Sequence, residues 1–200
     1  MKTFSIGGRC IAAPPPLDWR EQLAQMLGFK PRRIGTWAEL GLYGALRCMT
    51  DAGDRRLSPD AQIWLGSQRG TYVATDIVLA QIRDGLPMPL AFLQTQPSQL
   101  LALLAAQIAW KGHACFVPGG QPHDLLRLAS AQVGASGLLL GMVDEMDGGT
   151  TNWLRLYPCA PEKEEFVHNS SEEMFLSGVS YLRVDVTGLQ GRRAIQGKTE

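Results

Sequence analysis

Few side chains in this 200-residue chain have the chemistry of a nucleophile, a base or a metal ligand: chiefly four cysteines (Cys10, Cys48, Cys115, Cys159) and three histidines (His113, His123, His168). The cysteines stand far apart and form no C-x-x-C pair, so they give neither a zinc pattern nor a disulfide framework, and no metal or cofactor is expected. Cys115 lies in a short apolar run, where a buried thiol acts as a small hydrophobe and lacks the electropositive setting that makes thiolate. Ser67 directly follows Gly66 in Gly66-Ser67-Gln68-Arg69-Gly70, so this is not the G-x-S-x-G elbow of hydrolases and Ser67 is a weak nucleophile candidate. Asp144 and Glu145 are adjacent carboxylates at a strand end. Neighbours there point in divergent directions, which favours a structural or solvated role over paired acid catalysis. His113 reads as a polar turn residue. His123 sits at a helix start, whose positive end disfavours imidazolium, so a structural role is favoured for it too.

The remaining candidate is an amide. Gln121 lies in the tight turn Pro118-Gly119-Gly120-Gln121-Pro122, between a strand over 114–117 and a helix that starts near His123 or Asp124 and has Leu125, Leu126, Leu128 and Ala129 on its inner face. A strand leading through a glycine-rich bend into a helix is where an α/β fold presents a functional side chain. A glutamine amide donates and accepts hydrogen bonds, but its nitrogen lone pair is delocalised and does not accept an acyl group at neutral pH. With neither thiolate nor paired base, the chain lacks the arrangement on which covalent acyl transfer depends, and it is expected to be inactive by itself.

The elements that position this turn can be read in order. A helix is expected over 98–110, opened by a Pro-Ser start signal and closed by Lys111 and Gly112. Only Gln99 and Gln107 interrupt its apolar surface, so it should be buried on most sides. Upstream, 2–11 reads as a strand broken by Gly7 and Gly8, followed by a stiff proline connector. Asp18 can cap a helix over 19–27, and the basic cluster at 30–33 reads as a solvated loop. Thr36, with Glu39 three residues on, forms a capping-box pattern for a helix ending at Asp51-Ala52-Gly53. A short strand over 61–65 and a helix over 71–83 follow. Downstream, 138–143 is a buried strand candidate, 146–151 a glycine-rich turn, 153–157 a strand, 158–165 a charged loop and 181–186 a last strand, with a polar tail from 188.

Taken together, these marks resemble the N-terminal half of a β-ketoacyl synthase of the thiolase fold, roughly over 4–145. The stretch PRRIGTWAELGLYGALRCMTDAG is similar to the helix with which ketosynthases follow their first strand, down to the closing Asp-Ala-Gly. The turn at 66–70 resembles the family's Gly-Ser-rich turn, LPMPLAFL its proline-containing run, Lys111-Gly112 the end of its interface helix, and GLLLGMVDE its central strand. Counting on from Lys111 without gaps brings Gln121 to about the position of the nucleophilic cysteine. Glutamine there is what chain-length factors carry, the non-condensing partners of type II polyketide ketosynthases.

The resemblance implies an α/β, thiolase-like chain, 1–200 forming one domain equivalent to a single truncated half. In that family two catalytic histidines lie in the second half, and none of this chain's three stands in such a setting. It also implies a heterodimer with a complete ketosynthase, to which acyl carrier protein delivers substrate for a polyketide, aryl polyene or fatty-acid-like chain. In that picture Gln121 marks the vestigial nucleophile position, Leu100, Leu104, Ile108 and Phe116 the interface, and Met88 and Phe92 the acyl tunnel.

Composition limits the alternatives. The 19 basic and 19 acidic residues cancel and are spread through the chain, against a nucleic-acid or anionic-membrane surface. The longest strongly apolar run, 100–110, is too short to span a bilayer, and a signal-peptide pattern is missing, so a cytoplasmic protein is expected. An all-round apolar helix on half a fold would expose more than the ~300–600 Å² typical of monomers, hence the expected dimer. Two other readings stay open: an acyl-thioester decarboxylase or hydrolase acting through Gln121, Cys115 or His123, and a structural scaffold whose pocket is filled.

Overall fold

A computed structural model describes residues 2–86, 88–160, 167–168, 173–175 and 179–186. Its strands are β1 (Lys2–Ala12), β2 (Gln62–Ser67), β3 (His113–Pro118), β4 (Leu138–Asp144), β5 (Thr150–Cys159), β6 (Val167–His168) and β7 (Tyr181–Val184). They form one sheet in the order β3-β2-β4-β5-β1-β7-β6. β2 pairs in parallel with both β3 and β4, whereas β5 runs antiparallel to its neighbours β4 and β1. Among the described residues β3 is therefore an edge strand. The helices are α1 (Trp19–Leu27), α2 (Thr36–Asp51), α3 (Tyr72–Arg83), α4 (Pro89–Gln94), α5 (Pro97–Gln107) and α6 (Pro122–Gln132).

Helices cover both faces of the sheet, which is why β2 and β4 read as continuous apolar runs rather than alternating ones. Ile63, Leu65, Leu139, Val143 and Trp153 face one cluster with α1, α2 and α5. Trp64, Leu138, Leu140, Leu154 and Leu156 face the other, with α6 and with Met174 and Val179 from the last described segments. Glycines let α2 and β4 close on Trp153: a Cβ at Gly44 would lie 2.1 Å from Thr151 Oγ1, and one at Gly141 would lie 2.5 Å from the Trp153 ring. On the same face Arg155 is buried, its Nε 2.7 Å from Asp54 Oδ2. Its Nη atoms donate to the carbonyls of Ser136, Leu138 and Leu156, so the charge is fully partnered.

Several local expectations are corrected. β1 is not broken at Gly7 and Gly8; a register shift between Ile6 and Gly8 absorbs the extra residue as a bulge, and a Cβ at Gly7 would strike the Tyr157 ring. Gly35, at φ +79°, is the N-cap of α2, so Thr36 already lies inside the helix and no capping box forms. Glu39 turns instead to Arg20, 2.9 Å away. Asp18 stands at the N-cap of α1 without a side-chain capping bond and accepts from Gln22 Nε2 at 2.9 Å. Within α5 only Leu100 and Leu104 are fully buried, pressed towards α2; Leu101, Leu103 and Ala105 pack partly buried against the same core, and the exposed positions are Ser98, Ala102, Ala106 and Gln107. The helix also stops at Gln107, short of Trp110, where Ala109 takes a positive φ of 50°. The run at 86–93 contains a helix, α4, and β5 is longer than the strand expected over 153–157. Most of the expected loop at 158–165 and the tail from 188 lie outside the described residues.

Candidate functional site

The carboxyl ends of β2, β3 and β4 meet beneath the turn that carries Gln121. Ser67, wholly buried at the end of β2, donates from Oγ to Asp144 Oδ1 at 2.8 Å and accepts from the Gly70 N–H at 2.7 Å. The Asp144 carboxylate also accepts the N–H groups of Gln68 at 3.2 Å and Arg69 at 3.1 Å. Glu145 Oε1 accepts the Val73 N–H at 2.9 Å, in the first turn of α3, and the Trp37 N–H in the first turn of α2 is near enough to favour the charged carboxylate. Burial pushes the Glu145 carboxyl above its ordinary value, and the adjacent Asp144 adds to this, while the two N–H groups oppose it. Both carboxylates are thus engaged with backbone donors.

The β2 end also fixes the glycine turn. Gly119 N–H donates to the Ser67 carbonyl at 2.8 Å, and Gln68 Nε2 to the Gly120 carbonyl at 3.0 Å. Gln121 then takes the N-cap position of α6 with extended φ −80° and ψ 155°, makes no side-chain cap bond, and is exposed; Pro122 opens the helix. Gln121 stands at the carboxyl-end side of the strands, two residues before His123. Ser67, buried and bonded to a carboxylate with no imidazole between, is a structural hydroxyl.

The other reactive groups are scattered. His113 opens β3, at the far end of the strand from the turn, with its ring 6.0 Å from that of Trp64. His123 Nε2 lies 3.2 Å from Asp124 Oδ1 on the exposed start of α6. His168 belongs to β6, and its side chain lies outside the described residues. Cys115 is in mid-strand and burial raises its thiol. The same cause pushes Cys10 to about 11 and raises Cys48 further. None of these three has thiolate character. Among the described residues, no group of three or more His, Cys, Asp or Glu is placed to hold a metal.

The expected interface residues divide. Leu100 and Leu104 are 0% exposed and Ile108 is 5%, all within the chain's own core, so they offer nothing to a partner. Leu100 closes directly over Gly41, where a Cβ would meet its Cδ2 at 2.2 Å. Phe116, half-buried on β3, packs edge-on to Trp37 at 5.9 Å. Met88 and Phe92 are 57% and 56% exposed and belong to an arm that residue-by-residue reading did not single out. In this arm neither α3 nor α4 has a single buried residue. Ile77, Ile82, Leu86 and Leu90 are exposed on it as well. The signal was present in the α3 sequence YVATDIVLAQIR, which carries apolar residues on more than one flank. Three clefts of about 480, 510 and 560 Å³ lie elsewhere, beside Leu46 and Asp54, Lys2 and Arg183, and Tyr43 and Arg47 respectively.

No protein-family model and no curated protein matches this chain. Solved structures do match. The ishigamide ketosynthase/chain length factor aligns at TM-score 0.56 and 13% identity, over 78% of this chain and 58% of that one. AntDE:AntF, a type II polyketide ketosynthase complex with its acyl-carrier protein, aligns at 0.57 and 12%, over 78% and 63%. The ketosynthase ApeO with its chain length factor ApeC, from Xenorhabdus doucetiae, aligns at 0.54 and 15%, over 80% and 81%. The chain thus spans less than two thirds of the first two of these and about four fifths of the third. At such identities the likeness shows the fold, which is α/β and thiolase-like, the architecture on which ketosynthase and chain-length-factor subunits are built.

Proposed function

We propose that this chain is a non-catalytic, chain-length-factor-like subunit that pairs with a complete β-ketoacyl-ACP synthase and helps shape its acyl tunnel in polyketide or aryl polyene biosynthesis. The observation that carries this reading is the exposed Gln121 at the strand-to-helix turn of a thiolase-like fold. The edge strand β3 leads directly to that turn. Among the described residues it pairs only with β2, and its outer edge offers main-chain donors and acceptors to a strand of the ketosynthase. The apolar arm lies one connection away and supplies the surface a partner must cover; the interface therefore moves from the buried rail of α5 to β3, Phe116 and the arm. Acyl carrier protein acts through the ketosynthase, and the growing chain runs beside Met88 and Phe92 in a tunnel made jointly by both subunits.

The test is co-expression with the ketosynthase encoded nearest its gene and native mass spectrometry of what co-purifies. A one-to-one complex is expected, with Gln121→Ala retaining the complex while altering product length. A stable monomer that ignores the ketosynthase would overturn the reading.

A further inference from the structure

We infer that Glu145 is a positioning residue for the arm, fixing the angle at which α3 and α4 leave the sheet and thereby the depth at which Met88 meets an acyl chain; the last step rests on the chain-length-factor reading. An arm in which neither helix has a buried residue is held only weakly by packing on the rest of the chain, so its direction depends on the bonds at its base. Thr71, the N-cap of α3, does not cap that helix with its side chain. Its Oγ1 instead donates to the Thr95 carbonyl at 2.9 Å, pinning the start of the arm to its end. The orphan N–H of Val73 is left to Glu145, at 2.9 Å. Asp144 meanwhile holds the approach to the arm through Gln68 and Arg69.

Glu145 has a fixed counterpart on its other side. Glu145 directly follows β4 (Leu138–Asp144), and the Trp37 N–H lies near its carboxylate; Trp37 is itself locked by a 3.0 Å bond from Nε1 to the Val143 carbonyl and by its contact with Phe116 on β3. One side chain therefore ties the first turn of α3 to the end of the buried strand β4, beside the first turn of α2. The 12 residues of α3 make a lever ~18 Å long, so a tilt of ~10° at Val73 displaces its far end by ~3 Å. Met88 follows that far end. Such a displacement is comparable with the length one two-carbon extension adds to a chain.

The experiment compares the chain, co-purified with its ketosynthase, as wild type, Glu145→Ala and Glu145→Gln. The alanine variant removes the acceptor; the glutamine variant keeps one oxygen for Val73. Amide hydrogen exchange in α3 is expected to speed up about tenfold in Glu145→Ala, with β2 and β4 unchanged, and to return most of the way in Glu145→Gln. Product lengths are expected to shift or broaden in the alanine variant alone. Unchanged exchange in α3, or equal loosening of β2 and β4, would overturn the latch. Faster exchange with unaltered products would overturn its role in chain length. If the wild type forms no complex, the chain-length-factor reading fails separately, and exchange measured on the chain alone still decides the latch. Should Glu145→Ala fail to accumulate, Glu145→Asp, shorter by one methylene, gives the same comparison.

Discussion

Leu104→Ala separates a core role for the α5 leucines from an interface role. Leu104 is 0% exposed and belongs to the cluster formed with α1, α2 and the sheet. The substitution removes three carbons, worth about 0.8 kcal/mol each in transfer alone, or roughly 2.4 kcal/mol. The residues around it are held by the sheet and by α2, so collapse into the space is limited and the cavity adds to the loss. About 3–4 kcal/mol is expected in all, inside the ~2–5 kcal/mol observed for buried leucines. Against a total of roughly 5–15 kcal/mol, this is a large fraction of the stability. With a urea dependence of about 3 kcal/mol per molar, the midpoint falls by about 1 M, read by tryptophan fluorescence on the isolated chain. Phe92→Asp is the matched control: at 56% exposure it should move the midpoint within about 0.5 kcal/mol while abolishing the complex with the ketosynthase. The reasoning is refuted if Leu104→Ala leaves the midpoint in place but prevents pairing, or if Phe92→Asp pairs normally.

Two further outcomes follow from the packing and the electrostatics. Gly141→Ala places a Cβ 2.5 Å from three atoms of the Trp153 ring, which α2 prevents from moving away, and overpacking of about 2 kcal/mol is expected. In a chain of this size that lowers Tm by ~4–8 °C and weakens the near-ultraviolet circular dichroism of Trp153; an unchanged Tm would show that the ring has room. Because the Glu145 pKa is raised in the fold, the native state binds that proton more tightly than the unfolded chain does. Its contribution to stability therefore grows as pH falls from the raised value towards the ordinary glutamate value, and diminishes as pH rises through the raised one. Glu145→Gln lacks this dependence, so the wild type should gain on it between pH 7 and pH 4.5 in urea midpoints. A difference that moves the other way would mean that the Val73 and Trp37 donors outweigh burial.

Periodicity and punctuation alone located most elements of this chain. β2, β4, α2 and the strand, turn and helix around Gln121 are legible because their signals are local: a β-period or buried apolar run, bounded by Gly, Pro or Asp-Ala-Gly. Caps were less so. Thr36-x-x-Glu39 has the right spacing, yet Gly35 takes the N-cap and Glu39 finds Arg20 from another helix.

What only the tertiary structure decided is which apolar surface is already covered. α5 and α3 are both rich in apolar residues, and composition assigns the exposed patch to α5. The fold does the reverse, because Gly41 lets Leu100 sink onto α2 whereas α3 leaves the sheet after Gly70 and rests mainly on the short α4. Likewise, the sequence places Asp144 and Glu145 side by side, but their duties lie some seventy residues away, at Gln68, Arg69 and Val73. Burial and long-range partners depend on strand order and on the distance between helix and sheet. Those are properties of the assembled chain, which no single stretch of it contains.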